Sequence, residues 1–431
     1  MVYAGRGPQP VGELPGHACT VARGVAGWMR WVVLLMRIAH VITRLILGGA
    51  QENTLLSCED LMHHYGDEVL LITGPPLGPE GSLLERARAK GVPTQLIPSL
   101  RRSIHPWRDA ISYRAIKRVL RRFRPEVVHT HSAKAGFLGR AAASALRVPV
   151  VVHTVHGAPF HPYQSWVARA FFRACERWAA QRCHALVTVA DAMTELLVQA
   201  QVALRHKCIT IYSGMEVEPF LESAPLREPT RQQLGYQSHH IVIGKVARLF
   251  RLKGHEDVVR AARQVIATHP NARFLFVGDG ILAVSLRAQI AAAGLERFFQ
   301  FTGLVAPDRV PALLAAMDIV VHASLREGLA RVLPQALIAG KPVVSYDVDG
   351  AREVVIPDVT GYLVPPKDVD SLARAICRLA ADPALRARQG REGQQRFSDL
   401  FRHQRMTQLL RDLYQQLLGR SAHATTPPLP S

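Results

Sequence analysis

The chain has 431 residues, 48% hydrophobic and 20% charged, a globular composition that excludes a mostly disordered or fibrous protein and leaves room for two or three domains. Its 53 basic against 34 acidic residues give a net charge of +19, which points to a polyanionic partner: nucleic acid, anionic lipid or phosphorylated small molecules. Six scattered cysteines (Cys19, Cys58, Cys175, Cys183, Cys208, Cys377) without a CxxC pair argue against a disulfide framework or a zinc site and fit reduced thiols in the cytoplasm.

Residues 1–35 read as a disordered or misassigned leader. The apolar stretch from Gly27 is interrupted by Arg30, Arg37, His40 and Arg44, short of the roughly 20 residues a membrane span needs. No small-residue cleavage site follows it, so a signal peptide fits poorly. The leader carries net +2, leaving +17 on a body that starts near Met36. Short apolar runs then alternate with amphipathic helical patterns. Strands are expected at 37–43, 68–73, 94–98, 126–131, 149–154, 184–190 and 207–212, with helices at 50–64, 81–90, 108–124, 134–146, 164–181 and 191–200. This spacing implies right-handed crossovers and a parallel sheet covered on both faces. Residues 221–239, with Pro225, Pro229 and Gly235, read as a linker between a first domain at 36–220 and a second at 240–397. In the second, strands are expected at 240–247, 272–277, 298–302, 318–322 and 341–345, and helices at 254–268, 282–293, 307–316, 331–339, 368–381 and 384–396. A last helix at 398–419 precedes a Pro- and Thr-rich tail at 420–431, expected to be disordered. The fold class is α/β: two doubly wound, Rossmann-like domains facing a central cleft, with ligands beyond the carboxyl ends of the strands.

Taken in chain order, the motifs each carry a functional and a plain structural reading. Gly48-Gly49 follows the first strand and opens a helix, where backbone can approach an anionic ligand, or is a simple βα turn. The 108–124 helix sets Ile111, Ala115, Ile116, Val119, Leu120 and Phe123 on one side. Arg114, Lys117, Arg118, Arg121, Arg122 and Arg124 crowd the other, a solvated face or an attraction to anionic lipid. His129-Thr-His131 and Thr154-Val-His156-Gly157 end strands; neither has a local third metal ligand, so cleft contact or packing is favoured over a metal site. Ala247-Arg248-Leu-Phe-Arg251-Leu-Lys253-Gly254 sets cations before a helix, suited to a pyrophosphate or to a solvated loop. Val277-Gly278-Asp-Gly280 opens a loose dinucleotide fingerprint, but the next strand ends Thr302-Gly303-Leu304 without the ribose-binding carboxylate a nicotinamide enzyme needs. Ser324-Leu-Arg-Glu327-Gly-Leu329-Ala330-Arg331 offers a carboxylate for sugar hydroxyls and free N–H groups for phosphate, unless Glu327 is only a helix-start carboxylate.

In this order the pieces resemble the GT-B glycosyltransferases, specifically family 4 of the retaining enzymes (glycosyl transferases group 1), over about residues 36–418. The most specific stretch is Glu327-Gly-Leu-Ala-Arg-Val-Leu-Pro-Gln335 through Gly340-Lys-Pro342-Val, which looks like the family's Glu-x7-Glu element and strand entry. The resemblance implies a UDP- or GDP-linked sugar as co-substrate, with no other cofactor and no metal. It implies Arg248 and Lys253 on the diphosphate, Glu327 on the sugar hydroxyls, and the N–H groups of Leu329, Ala330 and Arg331 assisting. His156 would stand beside the reacting sugar, and Gly48, Gly49, Gly278 and Leu304 would help hold the sugar donor.

The element's second Glu is Gln335 here, which keeps an acceptor for ribose and adds hydrogen-bond donors. Ala330 replaces a common Gly, which matters only if φ must be positive there. The implied function is sugar transfer from a nucleoside-diphosphate sugar to a saccharide or lipid-linked acceptor in cell-surface polysaccharide or lipopolysaccharide synthesis. The alternative is a catalytically inactive sugar-nucleotide sensor or scaffold. The implied location is cytoplasmic, peripheral at an anionic inner membrane face. Nucleic acid is not an expected partner, since no helix-turn-helix, RRM or basic-aromatic repeat is present.

Overall fold

The computed structural model describes residues 35–78 and 81–424; of the expected leader only Leu35 falls within them. The described residues form one compact unit. Its first half alternates β1 (Arg37–Arg44), α1 (Gly49–His63), β2 (Glu68–Gly74), α2 (Leu84–Ala89), β3 (Thr94–Leu96), α3 (Pro106–Phe123) and β4 (Val127–His131). It continues through α4 (Ala133–Ala145), β5 (Val150–Val155), α5 (Trp166–Ala180), β6 (Ala185–Thr188), α6 (Asp191–Gln199) and β7 (Cys208–Thr210). The strands form an all-parallel seven-stranded sheet in the order β3-β2-β1-β4-β5-β6-β7. Short helices α7 (Glu218–Leu221) and α8 (Arg227–Gln233) lead into β8 (Ile241–Val246), α9 (His255–Thr268), β9 (Ala272–Val277), α10 (Ala283–Ala292) and β10 (Phe299–Phe301). Then come α11 (Val310–Ala316), β11 (Ile319–His322), α12 (Val332–Ile338), β12 (Val343–Tyr346), β13 (Gly361–Val364), α13 (Val369–Ala381), α14 (Pro383–Phe397) and α15 (His403–Ala424). The second sheet, also all parallel, has six strands in the order β10-β9-β8-β11-β12-β13.

Both sheets are covered on two faces, which is why their strands read as near-continuous apolar runs. In the first, Ala39, Val41 and Val128 pack under α3 and α4, while Ile38, Ile42 and Val152 pack under α1 and α15. The last helix thus returns to the first sheet: the His403 ring and the Thr407 hydroxyl both bond Asp60 Oδ2 at 2.8 Å, and Arg411 Nε donates to Asp67 at 2.9 Å. It runs on to Ala424, past the expected boundary at 419.

Three further expectations change. Residues 221–239, expected as a linker, carry the helix α8. Arg227 and the fully buried Arg231 both reach Asp318, at 2.6 and 3.1 Å, and fasten α8 to the second sheet. Strand β13 was not anticipated: it has four residues, begins with a glycine and follows a turn. In α3 Ala115, Ile116, Val119, Leu120 and Phe123 dock as expected, and Ser112 is buried with them, its Oγ bonding Ser99 Oγ at 2.9 Å; Ile111, expected inside, is 54% exposed.

Candidate active site

Strand β8 runs into the loop Ala247–Gly254, where Leu252 and Gly254 both take left-handed backbone (φ 68° and 67°) on either side of Lys253. An ideal Cβ on Gly254 would lie 1.9 Å from the Ala323 carbonyl oxygen, so only glycine fits. A leucine in this region costs of order 1 kcal/mol, a strain characteristic of functional loops. The double turn aims Lys253 at Glu327, and Lys253 Nζ donates to Glu327 Oε1. The Glu327 N–H donates to Asp349 Oδ2 at 2.6 Å, and His322 Nε2 lies 3.7 Å from Glu327 Oε1. Burial alone would raise the Glu327 carboxyl, but His322 and Lys253 overcome it and hold the group well below the usual carboxylate range. Arg248 is exposed at the head of the loop, its guanidinium 5.0 Å from the Phe250 ring centroid.

Around this pair, Gly278 donates its N–H to the Gly303 carbonyl at 3.1 Å, which ties the loops after β9 and β10 together, and Leu304 next to it is 60% exposed. Gln335 is half-buried on α12. Ala330 has no positive φ, so replacing the usual glycine imposes no strain. Leu329 packs against the cores of both halves.

The first half meets this loop directly. An ideal Cβ on Gly328 would lie 2.4 Å from the His156 carbonyl oxygen, so the residue after Glu327 abuts the residue that follows β5. Arg331 Nη1 donates to the Gly49 carbonyl and reaches Glu52 Oε2, both at 3.1 Å. Gly49 therefore receives a side chain of the second half at the place where close approach by a ligand was expected; Gly48 is extended, as any residue can be (φ 174°). Arg326 donates to the Ala158 carbonyl, and Glu353 caps α6 by accepting from the N–H groups of Asp191 and Ala192 at 2.9 Å each. His156, Arg331, Glu327 and Lys253 are thus brought to one junction between the carboxyl ends of the two sheets.

Several groups here carry no local sequence signal. Asp349 lies 22 residues beyond Glu327. Beneath the pair, the Lys245 amine, both ring nitrogens of His255 and the Ser324 hydroxyl are buried without a partner among the described residues. Burial, reinforced by Lys253, brings the Lys245 amine down to about 7. In the first half, His40, His129 and His131 offer nitrogens within 4.8 Å of one another, a spacing compatible with a metal. Every one of those nitrogens except His40 Nε2 already bonds a ring, a hydroxyl or the next histidine. Burial drives the His40 ring down to about 3, and burial plus Arg331 takes His156 to about 4, so both are neutral at physiological pH.

The sequence matches the family model for glycosyl transferases group 1 over residues 227–396 and that for the glycosyl transferase 4-like domain over residues 48–214. It is 28% identical over 353 residues to an Escherichia coli UDP-Gal:alpha-D-GlcNAc-diphosphoundecaprenol alpha-1,3-galactosyltransferase, covering 81% of this chain and 89% of that protein. It is 30% identical over 289 residues to the 2-deoxystreptamine glucosyltransferase of Streptomyces kanamyceticus, covering 65% and 74%. Among solved structures, Anabaena Alr3699/HepE in complex with UDP superposes with a TM-score of 0.73 at 24% identity, over 88% of this chain and all of that one.

Proposed function

The chain belongs to the group 1 glycosyltransferases, and from that premise we propose that it moves a sugar from a UDP- or GDP-linked donor to a lipid-linked saccharide, with retention and without a metal. The observation that carries the reading is the Lys253–Glu327 ion pair at the junction with His156. A pyrophosphate entering the Ala247–Gly254 loop gives Lys253 and Arg248 an anion to bind. Glu327, kept ionised by His322, then turns its oxygens to the hydroxyls of the transferred sugar. Gln335 accepts from ribose hydroxyls.

In the transfer step the bond from the anomeric carbon to the β-phosphate oxygen breaks while the acceptor oxygen bonds the same carbon from the same face. The acceptor's hydroxyl proton passes to the departing phosphate. Arg248 and Lys253 offset the charge that grows on the phosphate, the work a metal does elsewhere. No covalent enzyme intermediate is needed, and the neutral His156 is a hydrogen-bonding group rather than a base. Titration calorimetry with a panel of nucleotide sugars, paired with a product assay on polyprenyl-diphosphate saccharides, tests this. Binding without product in any pairing would instead favour the inactive sensor.

The lipid-linked acceptor is supported by the surface of the first half. Ile104, Trp107 and Ile111 on and before α3, and Trp166, Val167 and Phe171 on α5, are each more than half exposed. Arg114, Arg118, Arg169 and Arg173 stand exposed among them. Apolar side chains set in a basic field suit an anionic bilayer interface. The helices start beyond the carboxyl ends of their strands, the edge that carries His156. Among the described residues no helix is long and apolar enough to cross a membrane. The proposed location is therefore peripheral, at the cytoplasmic face.

A further inference from the structure

We propose that His40 and His131 are positioning residues that fix the tautomer of His156, so that His156 presents an Nδ1–H to the cleft. The inference rests on the reading that His156 stands beside the transferred sugar, and it assigns that contact a direction: an uncharged hydrogen-bond donor to a sugar oxygen.

The three rings form a file. His40 Nδ1 lies 3.0 Å from His131 Nε2, and His131 Nδ1 lies 3.2 Å from His156 Nε2. The rings of His40 and His131 are stacked at 12°, those of His131 and His156 at 28°. A neutral imidazole has one N–H and one bare nitrogen. With two bonds and three rings, only two arrangements satisfy the file. In one, each ring donates toward the cleft: His40 Nδ1–H to His131, His131 Nδ1–H to His156, leaving His156 with Nδ1–H. In the other every bond is reversed, and His156 offers a bare Nδ1.

The inner end decides between them. His40 is fully buried, and its Nε2 has no partner among the described residues. The outward arrangement leaves a bare nitrogen there, whereas the reversed one leaves an N–H. Orphaned buried N–H groups are the rarer defect in native proteins. Positive charge does not blur the choice, because burial keeps all three rings neutral. At the outer end His156 is only half-buried, and its bond to His131 uses Nε2, which leaves Nδ1 as the nitrogen available to a ligand. His129 packs beside the file, with ring centroids 4.3 Å from His131, but bonds the hydroxyls of Tyr414 and Thr154. Hydroxyls can donate or accept, so His129 walls the file without setting its direction.

Long-range proton–nitrogen NMR of the full-length protein labelled with 15N-histidine reads each tautomer, assigned with His40→Asn and His156→Gln. The expected result is protonation at Nδ1 in His40, His131 and His156. His40→Asp sets a carboxylate, an acceptor only when ionised, at the inner end, so His131 should donate from Nε2 and His156 should become protonated at Nε2. Its kcat/KM for the nucleotide sugar should fall about tenfold or more, as when groups that orient a catalytic histidine are lost, with affinity for the free nucleoside diphosphate unchanged. His40→Asn supplies an amide N–H to His131 and should keep both tautomer and rate. A His156 protonated at Nε2 in the wild type overturns the proposal, as does equal behaviour of the Asn and Asp variants. So does stoichiometric zinc in the purified protein. If His40→Asp fails to fold, the wild-type spectrum and His40→Asn still decide. If no sugar is transferred at all, the proposed function fails while the tautomer measurement stands on its own.

Discussion

Arg331 and Glu52 form an ion pair across the two halves, Nη1 to Oε2 at 3.1 Å, with the same nitrogen on the Gly49 carbonyl. The pair stands at the start of α12, four residues after Glu327, and at the head of α1, so it ties the two halves together beside the loop that carries Glu327. Glu52→Ala should leave folding intact and raise KM for the sugar donor severalfold, with X-ray scattering reporting a wider distribution of separations between the halves. An unchanged KM and scattering profile would mean the pair is ornamental, as many half-exposed ion pairs are.

Lys253→Met removes the cation proposed to bind the leaving phosphate. Turnover should drop by two to three orders of magnitude, about 3–4 kcal/mol in the barrier. Arg248→Ala should act in the same direction. Lys253→Met also takes away one of the two groups that hold Glu327 ionised against its burial. The sign follows: the Glu327 carboxyl rises toward its ordinary range, so the acid limb of the pH–rate profile moves to higher pH in the variant. Near wild-type turnover in either variant would misplace the phosphate, and an unmoved acid limb would detach Glu327 from Lys253.

Gln335 tests the departure from the Glu-x7-Glu pattern. Gln335→Glu should keep or raise activity. Gln335→Leu should weaken binding of the sugar donor by about 1–3 kcal/mol, the cost of hydroxyls left unpaired. Calorimetry with the nucleoside diphosphate alone is enough to check it, and unchanged affinity in Gln335→Leu would remove ribose from this residue.

Lys245 is a buried amine without a partner among the described residues, brought down from 10.5 to about 7 by burial and Lys253. The unfolded chain holds that proton up to its ordinary value and the folded chain releases it earlier. The penalty is therefore complete below about pH 7 and fades as pH rises toward 10.5. Lys245→Met should stabilise the protein most at or below pH 7, by at most about 5 kcal/mol at roughly 1.4 kcal/mol per pH unit, with the gain shrinking in alkali. Melting curves of both proteins between pH 6 and 10 are the check; a gain independent of pH would be packing alone.

The strands and most helices were legible because parallel strands buried on both faces leave apolar runs that polar helices interrupt. What stayed hidden depends on partners distant in sequence. Arg227 and Arg231 look solvated until Asp318 is set between them by β11. Ile111 reads as core from its apolar side chain, but it is Ser112 that turns inward, and a Ser112 Oγ with its partner on Ser99 carries no hydrophobic signal. At the site, Lys253, Glu327 and His156 were each visible in local motifs. Their convergence, and the contribution of Asp349, follow from loops at the ends of strands far apart in the chain. The histidine file required the register that sets His40 opposite His129.

The surface of α3 and α5 carries the last expectation. On the proposed reading its cations attract anionic lipid, each worth roughly 1 kcal/mol near the surface, while its exposed aromatic and aliphatic side chains enter the interface independently of salt. The two contributions separate by experiment. Wild type should sediment with phosphatidylglycerol vesicles at low salt, retain part of that binding at high salt, and bind phosphatidylcholine vesicles only to that salt-resistant extent. Reversing Arg114, Lys117, Arg118, Arg121 and Arg122 to Glu should abolish binding at low salt and leave only the salt-resistant part at high salt, with affinity for the nucleotide sugar intact, since none of the five reaches the Lys253–Glu327 junction. Replacing Trp107 and Trp166, 79% and 78% exposed, with Ser should leave binding at low salt and remove the salt-resistant part. Transfer to a polyprenyl-linked acceptor in vesicles should fall in both variants, whereas transfer to a short water-soluble acceptor should not. If wild type stays in the supernatant with anionic vesicles at low salt, the basic faces are only solvated surface and the acceptor reaches the cleft from solution.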